Sequence, residues 1–170
     1  MMNLLEAPDE QSTLKAVYQG LQILFDLQDI LIFLYDRERE GLVGVDLGEN
    51  EKYKIVSGVF IPSKIEKSLL IRCLHRGDML DSFSPLDATK GVIVDEQLIR
   101  FIGKDGMLCI PLSAHGDHVG VIVVGLDEVE FTHLSQQFGV LQMFSRQAAT
   151  ALCGYRLKKA QLNAVQSERL

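Results

Sequence analysis

From Thr132 to Leu170 the chain runs about 39 residues without a proline, and only Gly139 and Gly154 weaken its helical character. At 1.5 Å per residue an unbroken helix of that length reaches roughly 60 Å, longer than a domain of this size is wide. With Thr132 as its cap, Leu134, Phe138, Leu141, Phe144, Ala148, Leu152 and Tyr155 fall at helical spacing and are expected to face inward. From Arg156 onward the sequence changes to RLKKAQLNAVQSERL, mostly polar with sparse Leu157, Leu162 and Val165. A thin apolar stripe cannot cover a globular core, but it can pair with a second copy of itself. The expected organisation is a domain over residues 10–155 and a projecting coiled-coil connector over 156–170.

Upstream, an amphipathic helix is expected from Asp9 to Phe25, with Leu14, Val17, Leu21, Leu24 and Phe25 on one side and acidic residues at its start. Ile30–Tyr35 (ILIFLY) is apolar throughout, the pattern of a strand covered on both faces, and Gly41–Leu47 is its expected hairpin partner. Tyr53–Ile61 reads as a third strand ended by Pro62. Ser63 with Glu66 has the spacing of a capping box, which predicts a helix start there and a stop at Gly77. Asp78–Lys90 reads as a loop, and Asp95–Ile102 as a short helix capped by Asp95 and ended by Gly103. Met107–Leu112 and Val119–Leu126 are two further strands, joined antiparallel through the turn 113–118.

Composition then narrows the function. The 170 residues are 47% apolar and 24% charged, which suits one globular domain. The net charge of −6 offers no electrostatic footprint for phosphate backbones or anionic lipids, so neither nucleic acid nor membrane is an expected partner. The N-terminus MMNLLEAPDE lacks the basic start and apolar core of a signal peptide. The longest apolar run, Val119–Leu126, is far short of a bilayer span. Cys73, Cys109 and Cys153 are odd in number, widely spaced and apolar in context, as expected of reduced thiols in a cytoplasmic protein.

The order helix, strand hairpin, strand, helix, loop, short helix, strand hairpin, long helix resembles a GAF domain. The resemblance is carried best by Gly106–Leu152: a strand ending in Pro111-Leu112, a short turn, the Gly-rich strand Gly120–Gly125 and a long amphipathic helix. It also resembles, more weakly, the GAF-type domains that follow HDOD modules in bacterial signalling proteins. The resemblance implies an α+β fold with a central antiparallel sheet flanked by helices. QSERL, Gln166–Leu170, is similar to the segment leading into the phosphoacceptor hairpin of bacterial histidine kinases. Together these resemblances imply a sensory domain that forms a homodimer and relays a signal to a kinase module further along the same chain.

In a GAF-like fold, Phe33 and Tyr35 on the first strand and Asp81, Phe83 and Lys90 in the long loop would border a ligand pocket. Core packing explains the two aromatics equally well, and a solvated connection explains the loop residues. No cofactor is implied beyond an unknown small ligand. His115-Gly116-Asp117-His118 offers two imidazoles and a carboxylate, but such residues commonly populate turns, and no metal site is expected. Cys73 and His75, two apart on a helix, point in different directions.

No catalytic role is expected of the chain. The free methionine-R-sulfoxide reductase, an enzyme built on this fold, needs reactive cysteines grouped on loops, whereas Cys109 lies within a strand and Cys153 within a helix. The bilin-attachment cysteine and the residue set of cyclic-nucleotide GAF domains are not recognisable. Neither a Gly-x-Ser-x-Gly elbow nor a Walker-type loop occurs. The alternative from another class is a ligand-free dimerisation module with a filled core.

Overall fold

The computed structural model describes residues 9–48, 51–84 and 92–168, and beyond residue 156 the side chains of 161, 162 and 164 only. Lys90, and the side chains of Leu157 and Val165, therefore lie outside the described residues. The chain order is α1 (Glu10–Phe25), β1 (Ile30–Asp36), β2 (Gly41–Gly44), α2 (Glu51–Val56), β3 (Phe60–Pro62), α3 (Leu69–Arg76), β4 (Leu80–Asp81), α4 (Ile93–Ile102), β5 (Gly106–Ala114), β6 (Asp117–Leu126), α5 (Glu128–Ser135) and α6 (Phe138–Glu168). The six strands form one antiparallel sheet in the order β3-β2-β1-β6-β5-β4, the α+β architecture expected from the sequence.

Cross-strand partners share a face of the sheet, so the register sorts the side chains. Leu31, Phe33, Val121, Val123, Gly125 and Cys109 face one side, where a methyl on Gly125 would overlap Ile102 of α4. Ile32, Leu34, Ile122, Val124, Leu108 and Ile110 face the other, which is covered by α1 and α6. Both faces are apolar, which is why the strands read as unbroken hydrophobic runs. Ile30, Ile32, Phe33, Val121, Ile122, Val123 and Val124 have no exposed surface at all.

Several local expectations fail, each for a physical reason. Residues 51–56 are helix, not the start of a strand. Tyr53 there is buried, donates its hydroxyl to the Ile30 carbonyl at 3.1 Å and meets Tyr18 edge-on, so tertiary contacts override a β-prone composition. Ser63 does not cap a helix: its Oγ donates to the Glu40 carbonyl across the β2–β3 edge. The helix starts six residues later, at Leu69.

That start is capped from a distance. The Asp95 carboxylate, fully buried, accepts from Ser68 Oγ and from the Leu69 backbone N–H, both at 2.7 Å. Asp95 thus caps α3 and not its own helix, which begins at Ile93. Gly77 and Gly103 end α3 and α4 at φ 71° and 82°, left-handed positions as anticipated. The β5–β6 turn is two residues long, with His115 and Gly116 at φ 54° and 82°, so both strands extend further into 113–118 than the sequence suggests.

The long C-terminal helix is two. Asp127 caps α5 in a reciprocal capping box with Glu130, leaving Thr132 inside the helix, its hydroxyl donating to the Glu128 carbonyl. Gln136 and Gln137 then close tight turns onto His133 and Leu134 before α6 begins at Phe138. Leu134, Leu141, Ala148 and Leu152 are buried, and Phe138, Phe144 and Tyr155 half-buried, so the inward face is as expected. At 31 residues α6 is roughly 46 Å long.

Candidate functional site

The five residues expected around a pocket do not converge. Phe33 is completely buried inside the sheet. Tyr35, two residues on, is half-buried at the strand's end. Asp81 sits in the far edge strand, its carboxylate accepting from the Phe83 and Ser84 backbone N–H groups and the Ser84 hydroxyl. Phe83 stacks on Phe131 of α5 with ring centroids 4.6 Å apart. Asp81 and Phe83 are neighbours in one turn, and Tyr35 is elsewhere.

A concavity does form elsewhere, a groove of about 700 Å3 at the end of the sheet, between β1, β2, the start of β6 and the C-terminal part of α6. Its size is that of a small-molecule site. Leu34, Val43 and Val119 supply apolar wall, and Cys153 and Arg156 come from α6. Short β2, which leaves strand geometry after Gly44, opens this corner. Arg156 bridges it: Nε donates to Glu10 Oε1 at 3.1 Å, and a terminal nitrogen reaches the Tyr35 carbonyl at 3.4 Å. The first turn of α1, the end of β1 and α6 are thereby tied together. Only Tyr35 of the expected set lines this groove. Asp117 at the start of β6 meets Cys153 and Arg156 of α6 here, two segments more than 30 residues apart whose meeting sequence spacing does not reveal.

The groove holds one thiol, that of Cys153. Burial raises the Cys153 thiol above its ordinary value, with Asp117 adding to the rise and Arg156 opposing it. A thiol kept protonated is a poor nucleophile. Cys73 and Cys109 are raised further by burial, with Asp78 adding for Cys73 and the neighbouring Cys73 adding for Cys109. All three cysteines are free. His118 shares a 2.8 Å hydrogen bond between Nδ1 and Ser113 Oγ. Among the described residues, no three His, Cys, Asp or Glu side chains are grouped to hold a metal ion, and no helix is long and apolar enough to cross a membrane.

Comparison with known proteins places the fold. Among curated proteins, none matches this sequence. Solved structures do. A methyl-accepting chemotaxis protein fragment, residues 122 to 287, is similar at a TM-score of 0.65 and 17% identity, covering 91% of this chain and 93% of that one. The GAF domain/HD domain protein from Geobacter sulfurreducens matches at 0.64 and 15% identity, over 92% and 99% of the two chains. The GAF domain of a phosphoenolpyruvate-protein phosphotransferase from Coxiella burnetii matches at 0.61 and 19%, over 92% and 90%. The sequence itself matches the GAF domain family over residues 9–152, and the chain belongs to that family.

Proposed function

We propose that this GAF domain is the input module of a signal-transduction protein, a homodimer that passes a small-molecule or conformational signal through α6 to a histidine kinase module beyond Leu170. One observation carries the reading: α6 does not stop where the sheet stops. Among the described residues its last fully buried side chain is Leu152, yet it continues to Glu168, roughly 24 Å further, with Leu162 60% exposed. A helix with no core to cover gains little from its own propensity and is stabilised by packing against a partner. Similarity to a chemotaxis protein fragment supports a signalling role. The domain acts by biasing two arrangements of the paired helices, without a reaction of its own.

The test is to read the gene beyond codon 170 and assay the whole protein. A helix carrying a His-Glu pair, followed by an ATP-binding domain that phosphorylates it, is expected. Inserting two residues after Ala160 turns the downstream module by roughly 200° and should alter that phosphorylation, whereas seven should restore it. A stop codon or an unrelated domain overturns the kinase assignment. A second reading, a ligand-free dimerisation module, is favoured by the complete burial of Phe33 in the sheet. It predicts that no compound raises the melting temperature.

A further inference from the structure

The groove beside the exit of α6 begins with a gap in the side chains of the sheet. Leu34, Val43 and Gly120 are cross-strand neighbours on the α6 side, and Gly120 adds no side chain to that row. Leu34, Val43 and Val45 stay half-buried, and the cavity they wall is about 700 Å3. Apolar side chains left open to water in a concavity of that volume, with few polar groups beside them, are the makings of a small-molecule site. The polar groups then decide what kind of molecule fits. Arg156 commits its guanidinium to Glu10 and the Tyr35 carbonyl. The Asp36 carboxylate accepts from the Glu38 and Arg39 backbone N–H groups. Arg37 and Glu38 are exposed neighbours in the same turn, opposite in charge. Asp117 remains. It lines the groove, lies near enough to the Cys153 thiol to raise it, and has no side-chain hydrogen bond or ion pair among the described residues.

We infer that this groove binds an organic ammonium ion, a protonated amine carried on an apolar or aromatic body, with the ammonium on Asp117 and the body against Leu34, Val43 and Val45. A carboxylate of the same shape would bring a like charge against Asp117. An uncharged analogue would strip water from Asp117 without pairing it. The ammonium alone gains a charge-assisted contact while its body covers the open wall. Cys153 and Arg156, which also line the groove, belong to the turn of α6 just past Leu152, so occupancy bears on the helix where it leaves the sheet. The inference gives a chemical class to the small molecule of the relay reading and rests on that reading for its purpose, but binding is measured without it.

Phenethylamine, hydrocinnamate and phenethyl alcohol share one body and differ in charge, which makes them the probes. With the 170-residue chain at neutral pH, calorimetry reads affinity, and alkylation of Cys153 by iodoacetamide, an uncharged reagent, reads the place, because Cys73 and Cys109 are buried. The amine should bind about tenfold more tightly than either analogue and slow Cys153 alkylation as it saturates. Asp117→Asn, at an exposed position, should weaken the amine by about the same factor with the melting temperature of the free chain unchanged. Alkylation is compared with and without amine in each chain, since Asp117 itself raises the thiol. An analogue that binds as well as the amine, amine binding that leaves Cys153 alkylation unslowed, or an Asp117→Asn chain with undiminished affinity, overturns the assignment. So does the absence of both heat and protection with phenethylamine, butylamine and naphthylethylamine alike, and that failure leaves the kinase question untouched. An amine that seats in the groove but leaves phosphorylation of the whole protein unchanged upholds the site and overturns the relay.

Discussion

The two faces of the sheet are built alike and finished differently. On one, α3 and α4 press Leu70, Cys73, Leu74, Leu98 and Ile102 onto Phe33, Cys109, Val121 and Val123, and the buried Asp95 carboxylate is satisfied by the Ser68 hydroxyl and the Leu69 N–H. On the other, α1 and α6 cover the middle of the sheet but leave the corner beyond Arg156 open as the groove, and α6 runs on with a bare outer face. The strands on both sides are equally apolar. The difference lies in what lies above them: short helices capped onto one another on the first face, and a helix longer than its support on the second. The first face is closed over by its helices, and the second keeps an open groove and an exposed helix face.

The sharpest way to break that contrast is to crowd the packed face. A methyl on Gly44 would overlap the carbonyl oxygen of Val56, backbone that cannot turn aside as a side chain would. Gly44→Ala should lose about 3 kcal/mol of unfolding free energy in urea titration. A loss under about 1 kcal/mol would mean that α2 gives way freely and that this side is not tightly packed.

Next in size is the long-range cap. Asp95→Ala leaves the Leu69 N–H and the Ser68 hydroxyl without their charged acceptor in a buried site, at a cost of about 2–3 kcal/mol. Hydrogen exchange should locate the loss in α3. Faster exchange in α6 instead would show that the two faces are not energetically separate.

Titration gives a third, smaller handle. Cys73 and Cys109 both have thiols raised by burial above the ordinary value of 9.0. Above about pH 9 the unfolded chain therefore releases protons that the folded one keeps. Stability due to these thiols is complete below that pH and falls as pH rises, by about 1.4 kcal/mol per pH unit for each. A Cys73→Ala, Cys109→Ala chain should show a flatter decline between pH 9 and 10.5. An unchanged slope would mean that the thiols ionise in place and that the face admits water.

Which parts of this were legible in the sequence follows from the range of the forces involved. β1, β5 and β6 are announced by apolar runs because both their faces are covered, and the stops at Gly77 and Gly103 by glycines that adopt left-handed backbone. The Ser63–Glu66 pattern misled because a capping box is a local signal, while the acceptor that starts α3 comes from Asp95, 26 residues beyond the N–H it holds. The break between α5 and α6 contains neither proline nor glycine and arises from tight turns at Gln136 and Gln137. The site was less visible still. Tyr35 was in view as an aromatic at a strand end, but Arg156 binds Glu10 across 146 positions of sequence, a pairing that no spacing rule encodes.

That pairing supplies the smallest effect and the finest probe of the open face. Arg156 and Glu10 remain about one-third exposed, so their 3.1 Å contact is screened by solvent and contributes under about 1 kcal/mol. Arg156→Gln should therefore barely move the melting temperature. It should still act on the groove, because Arg156 is the cation opposing the rise of the Cys153 thiol. Without it the thiol is raised further, and alkylation of Cys153 near pH 8 should slow, with Cys73 and Cys109 protected in either chain. Slower alkylation at unchanged stability would show that Arg156 tunes the groove without holding the fold. Faster alkylation would mean that the guanidinium chiefly covers the thiol, and a large fall in stability would mean that the open face is braced by this one contact.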